Sequence, residues 1–204
     1  GLRADISPLI ETLEKKFEES LGARFDAKEV GGVERACLLM AALGQQTKAS
    51  DIHLDHFPVD FKTEGVVHLR FRIGGVLHEI CTIDHRLAPA IVSQWKLWAS
   101  CDPKQIHTPQ RGSVILNRAR EGFSFNLDMR VTFLPSRFGE SMTLRLLNPL
   151  QAQSITIEKL GMRPEDKALL ISHLERPAGF IAFTGPSGSG KTTTAYTGIR
   201  HIAK

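Results

Sequence analysis

The stretch Phe123–Phe133 reads FSFNLDMRVTF, and its alternation is strict. Phe123, Phe125, Leu127, Met129, Val131 and Phe133 fall on one side of an extended chain. Ser124, Asn126, Asp128, Arg130 and Thr132 fall on the other. Successive side chains of a strand point to opposite faces, so the pattern predicts a strand with one buried and one polar face. Downstream, Pro135 and Gly139 turn the chain into SMTLRLLN, where Thr143 and Arg145 oppose Met142, Leu144 and Leu146. Upstream, Ser113 to Asn117 predicts a partner strand joined through a turn near Glu121-Gly122.

Further outward, VVHLRFRI and VLHEICTI bracket Gly74-Gly75, a hairpin signal because both residues tolerate positive φ. Ile52 and Leu54 alternate with His53 and Asp55 in another short strand. Arg70, Arg72, Arg130 and Arg145 then share the polar face if the strands pair in compatible register, which the sequence leaves open.

Three helices complete this half. Residues 6–21 place Ile6, Leu9, Ile10, Leu13, Phe17 and Leu21 at three- and four-residue spacings, with Ser7 as N-cap and Gly22 as stop. A second helix runs from Val33 to Gln46, with Val33, Ala36, Leu39, Met40 and Leu43 on one face. Residues 86–99, with Leu87, Ile91, Trp95 and Trp98, form the third. Helices against the greasy face of a mostly antiparallel sheet make an α+β layer architecture.

Composition agrees with a globular chain. Of 204 residues, 42% are hydrophobic and 24% charged, which excludes disordered and collagen-like classes. The longest apolar run, Cys37 to Leu43, is far short of the roughly 20 residues that span a bilayer, and no secretory signal opens the chain. Three cysteines, Cys37, Cys81 and Cys101, form no CxxC pair, which fits a reducing cytoplasmic compartment. The net charge of +4 is spread along the chain and speaks weakly for any nucleic-acid partner.

The chain past the linker at 149–156 reads differently. Pro164 starts a helix carrying Leu169, Leu170 and Leu174. GFIAFT then predicts a short apolar strand, and a helix follows from Lys191. Between them lies Gly185-Pro186-Ser187-Gly188-Ser189-Gly190-Lys191-Thr192, which fits the phosphate-loop pattern G-x-x-x-x-G-K-[ST] at every fixed position. Phosphate oxygens must approach several consecutive backbone N–H groups, and glycines clear that approach. The loop feeds a helix N-terminus, whose unsatisfied donors favour an anion. Lys191 is then the group for the β- and γ-phosphates, and the Thr192 hydroxyl the ligand for Mg²⁺, with Thr193 beside it.

ASDIHLDHF (Ala49–Phe57), LRFRIGGVLHEI (Leu69–Ile80) and DMRVTFLPSRFGESMTLRLL (Asp128–Leu147) resemble signature segments of the secretion ATPases of type II secretion and type IV pilus assembly, the GspE/PilB kind. LGM (Leu160–Met162) and RPAGFIAFTGPSGSGKTTTAY (Arg176–Tyr196) resemble the approach to and body of their phosphate loop. The resemblance implies N-terminal helices over 1–47, a PAS-like domain over 48–148, and the truncated start of a RecA-like ATPase domain over 157–204. It implies ATP and Mg²⁺ as cofactors, with Arg130 and Arg145 presented to the terminal phosphate alongside Lys191. It also implies a homo-hexameric ring at the cytoplasmic face of the bacterial inner membrane, peripheral through its partners. That ring drives an inner-membrane platform protein, with no direct nucleic-acid contact.

This sequence departs from the family pattern twice: Gly74 and Arg111 stand where acidic residues are usual. The family's Walker B acid, Asp-rich box, His box and zinc tetracysteine motif would lie beyond Lys204. A chain opening on Gly1 and stopping inside a helical pattern is therefore expected to be a piece of a longer protein, without useful hydrolysis of its own.

Alternatives carry less weight. A nucleotide-binding adaptor without motor activity would not need Lys191 and Thr192 intact, and a conjugative DNA-traffic ATPase finds no distinguishing charge. Asp51, His53, Asp55 and His56 admit a metal cluster, but a polar strand edge accounts for them more simply. Trp95 and Trp98 suit core or partner packing better than base stacking. Arg70 and Arg72 beside His68 fit an anionic docking surface or an ordinary sheet face equally.

Overall fold

The computed structural model describes residues 4–22, 30–57, 66–120, 123–147, 155–186 and 189–203. The turn at Glu121-Gly122, most of the 149–156 linker, and Ser187 and Gly188 lie outside them, as do the side chains of Phe123 and Phe125. The chain divides into two compact units, Gly1–Leu147 and Asn148–Lys204.

The first unit is α+β. Its six strands are β1 (Asp51–Phe57), β2 (Val66–Ile73), β3 (Val76–Ile83), β4 (Gln110–Arg120), β5 (Phe123–Ser136) and β6 (Gly139–Leu147). They form one sheet in the order β3-β2-β1-β6-β5-β4, every neighbouring pair antiparallel. Gly74 and Gly75 make the β2–β3 turn with φ of 58° and 86°, the left-handed conformation a tight two-residue hairpin requires. The long alternation of β5 places Leu127, Met129, Val131 and Phe133 in the core. Ile52, Leu54, Leu69, Phe71, Met142 and Leu144 join them there, and burying each such side chain contributes about 1.5–3 kcal/mol.

Three helices cover that face: α1 (Ser7–Leu21), α2 (Gly32–Gln46) and α3 (Ala88–Trp98). In α1, Leu9, Leu13 and Phe17 are buried and Gly22 ends the helix at φ 69°. Ser7 is not its N-cap. The helix already includes Ser7, whose N–H donates to Asp5 Oδ1 at 3.0 Å, and Pro8 occupies the first turn with its φ already set. In α2 every residue from Ala36 to Gly44 is buried rather than a single stripe, because α1, α3 and the sheet all pack against it.

In α3, Trp95 is fully buried and meets Trp98 edge to face with ring centroids 5.0 Å apart, so the pair belongs to the core. Lys96 is fully buried as well. Its ammonium donates to the Gln105 carbonyl at 2.9 Å and pairs with Glu140 Oε1 at 2.5 Å, tying the start of β6 to α3.

Strand ends differ from the sequence expectation. β5 runs through Pro135 to Ser136 and β6 starts at Gly139, because the turn is Arg137-Phe138. There Ser136 Oγ donates to the Gly139 carbonyl at 2.6 Å and accepts the Phe138 N–H at 3.3 Å.

The second unit holds a 3₁₀ turn (Ile157–Leu160) and two helices, α4 (Pro164–Leu174) and α5 (Lys191–Ile202). Gly198 lets them approach, since a Cβ there would meet Leu174 Cδ1 at 3.2 Å. The strand expected over GFIAFT does not form: residues 179–185 have no ladder, and Phe180 is 91% exposed. A strand is a property of a pair, and no strand stands beside this segment among the described residues of the unit. Among the described residues no helix is long and apolar enough to cross a membrane.

Candidate functional site

In the second unit, the phosphate-loop residues Gly185, Pro186, Ser189 and Gly190 lead into α5 at Lys191. Gly190 precedes the helix at φ 90°, and no side chain caps its first N–H groups, which leaves those donors for an anion. Gly185 sits at φ 153°, and a Cβ there would meet Ser189 Oγ at 2.8 Å. The loop conformation therefore requires glycine at both positions. The Lys191 ammonium donates to the Gly185 and Pro186 carbonyls at 2.7 and 2.5 Å, which holds it across the loop. Thr192 is exposed, Thr193 half-buried, and Thr194 Oγ1 donates back to the Gly190 carbonyl at 3.0 Å. The donor set fits a polyphosphate with a divalent cation: backbone N–H groups, one ammonium and one exposed hydroxyl.

In the first unit, strand register turns the polar sheet face into two rows. One runs Ser113, Arg130, Arg145, Asp51, Arg72 across β4, β5, β6, β1 and β2. The next runs Arg111, Thr132, Thr143, His53, Arg70. Over β4, β5 and β6 these rows line a groove of ≈570 Å³.

Asp51 organises the boundary between the halves. It is 5% exposed, and its Oδ1 accepts Arg145 Nε at 2.9 Å. Its other oxygen accepts Ser50 Oγ at 2.9 Å and faces Arg72 Nε at 3.6 Å. Burial pushes this carboxyl up, but hydrogen bonds from Arg145 and Ser50, with the Arg145 and His53 charges, hold it below the usual carboxylate value. Arg145 stays 68% exposed and lines the groove, with its Nε bonded to Asp51.

A Type II/IV secretion system protein family matches residues 26–204. The chain belongs to that family. The type IV pilus assembly ATPase PilB of Acinetobacter baylyi is 37% identical over 74% of this chain and 24% of its own length. The type II secretion system protein E of Pectobacterium carotovorum is 36% identical over 87% of this chain and 33% of its own. The chain thus spans a quarter to a third of these relatives. A crystal structure of the pilus retraction motor PilT with bound ADP covers 82% of this chain and 43% of that one, at 22% identity and a TM-score of 0.48.

In this Type II/IV secretion system protein, the four arginines read from the alternation do share the polar face, yet they fall into two sets. Arg70 pairs with Asp55 at 2.6 Å and stacks 4.7 Å from the Phe57 ring centre. Arg72 turns to Asp51 and to the Gly75 carbonyl at 3.1 Å. Arg130 is exposed and has no carboxylate partner among the described residues. Of the four residues weighed as a metal cluster, three are engaged elsewhere: Asp51 and Asp55 by arginines, and His53 Nδ1 by Thr143 Oγ1 at 3.2 Å. Burial lowers the His53 pKa, against the raising influence of Asp55 and Asp51.

Two things escaped sequence reading. One is the hold of Asp51 on Arg145, which polar-face alternation hinted at without showing register. The other is Arg111, visible there only as a departure from family pattern.

Proposed function

We propose that this family member is the nucleotide-responsive part of an ATPase that powers type IV pilus assembly or type II protein secretion. The first unit is its PAS-like domain and the second the start of its RecA-like domain. The glycines and N–H groups of residues 185–190 bind the triphosphate of ATP, with Ser187 and Gly188 completing the loop. Lys191 leaves the Gly185 and Pro186 carbonyls for the β- and γ-phosphates. Thr192 holds Mg²⁺, which neutralises charge on the phosphate oxygens when bound.

Arg130 and Arg145 supply guanidinium forks to the terminal phosphate, with Arg145 aimed by Asp51. The assembled form is a homo-hexamer at the cytoplasmic face of the inner membrane, acting on an inner-membrane platform protein. Hydrolysis is assigned to the assembled full-length protein, since the chain spans a quarter to a third of the relatives it matches.

The observation that carries this reading is the uncapped α5 N-terminus behind two positive-φ glycines, with the Lys191 ammonium drawn across the loop. The test is ATP hydrolysis by the assembled full-length protein. Lys191→Ala is expected to abolish it, and Arg145→Ala to lower kcat about 100-fold with a much smaller change in KM. An assembled wild-type ring that hydrolyses no ATP would establish an adaptor instead.

A further inference from the structure

The groove over β4, β5 and β6 spreads three arginines, Arg111, Arg130 and Arg145, over three strands. We propose that Arg111 is a third phosphate-binding side chain there, so that the groove takes a phosphoanhydride chain of two or more phosphoryl groups. The inference rests on the nucleotide reading above and extends it to a residue and a ligand size.

Arg111 is aimed by packing on the opposite side of its strand. Gly112 faces α3, where a Cβ would stand 2.3 Å from the Ala99 carbonyl oxygen. That contact seats β4 against the end of α3. Because faces alternate along a strand, Arg111 and Ser113 are turned to the groove. In register, Ser113 stands opposite Arg130 and Arg111 opposite Thr132, so Arg111 and Arg130 are diagonal neighbours. Arg130 in turn stands directly opposite Arg145.

Like charges at such positions cost about 0.2–1 kcal/mol per pair. No packing offsets that cost, since Arg111, Arg130 and Arg145 are all exposed. Neither Arg111 nor Arg130 has a carboxylate partner among the described residues, whereas Arg70 and Arg72 on the same face both do. The arrangement is one that an anion stabilises.

The spread of the donors sets the size of that anion. A guanidinium offers a planar fork that grips two phosphate oxygens at once. The terminal nitrogens of Arg145 form one fork, and Arg130 forms a second. Arg145 and Arg111 stand on β6 and β4, about 9.5 Å apart across two strand spacings, a spread wider than a single phosphoryl group. With Arg130 and Arg145 on the terminal phosphoryl, the fork of Arg111, beside the hydroxyls of Ser113 and Thr132, reaches the next phosphoryl along the chain.

The test compares inorganic tripolyphosphate with orthophosphate by calorimetric titration of the 204-residue chain carrying Lys191→Ala, so that the phosphate-loop ammonium does not contribute. Tripolyphosphate is expected to bind at least tenfold more tightly than orthophosphate. Adding Arg111→Ala should reduce that ratio at least fivefold while leaving the orthophosphate affinity, which rests on Arg130 and Arg145, within twofold. Arg111→Lys, which keeps the charge and loses the fork, should fall between.

Each variant's thermal midpoint is measured and should match its parent, which separates lost binding from misfolding. A tripolyphosphate preference undiminished by Arg111→Ala overturns the role of Arg111. MgATP binding by the chain with native Lys191 then tells whether the nucleotide reading itself stands. A chain that binds neither MgATP nor tripolyphosphate overturns both.

Discussion

On one sheet face, the β2–β1 half and the β6–β5–β4 half treat the same residue type in opposite ways. Arg70 and Arg72 meet Asp55 and Asp51, so that half neutralises its arginines. Across Asp51, Arg145 faces Arg130, and Arg111 lies one row along, with hydroxyls rather than carboxylates between them. The first half is a finished structural surface. The second leaves Arg111 and Arg130 without a carboxylate partner among the described residues, a local positive excess beside a groove. A single carboxylate separates them, and it holds one arginine of the open half by its Nε alone.

The largest expected effect comes from disturbing how the open half is seated. Gly112→Ala places a methyl group against the Ala99 backbone carbonyl, which has no side-chain freedom with which to yield. We expect a loss of about 3 kcal/mol in urea unfolding. Unchanged stability would mean that β4 is not anchored to α3 at this point.

Asp51→Asn tests the boundary. It weakens the bonds to Arg145 and Ser50 and should cost about 1.5 kcal/mol near neutral pH, a modest figure because Arg145 is largely solvated. In the wild type this carboxyl titrates lower folded than unfolded. The unfolded chain therefore takes up the proton first, and stability falls as pH drops below about 4 toward the lower folded value. Asp51→Asn should flatten that acid limb of the stability profile. A slope identical to wild type would dissociate Asp51 from it.

The smallest effect has the opposite sign. Arg130→Gln removes a like-charge pair from the open half and should stabilise the chain by about 0.5 kcal/mol, raising Tm by about 1–2 °C. The same variant should lower hydrolysis in the assembled protein. A loss of stability would show that the two halves are less different than their ion pairing indicates.

Much of the fold was legible because its signals are local. The alternation of Leu127, Met129, Val131 and Phe133, the Gly74-Gly75 hairpin and the apolar spacing of Leu9, Leu13 and Phe17 each depend on a few neighbouring residues. So does the glycine loop before Lys191, whose backbone preferences are written in its own residues. GFIAFT misled because it has the composition of a strand, and composition supplies no ladder partner. Lys96 was unreadable as a core residue, since only the arrival of Glu140 and the Gln105 carbonyl makes a buried ammonium tolerable.

From the sequence alone came most of the elements of the first unit, the greasy and polar faces of the sheet, and the glycine loop before Lys191, because period and glycine content act over a few residues. Tertiary structure alone decided which arginines are neutralised and which stay open. Arg145 and Asp51 are 94 residues apart in the chain, and their meeting depends on register between β1 and β6, which no local pattern encodes.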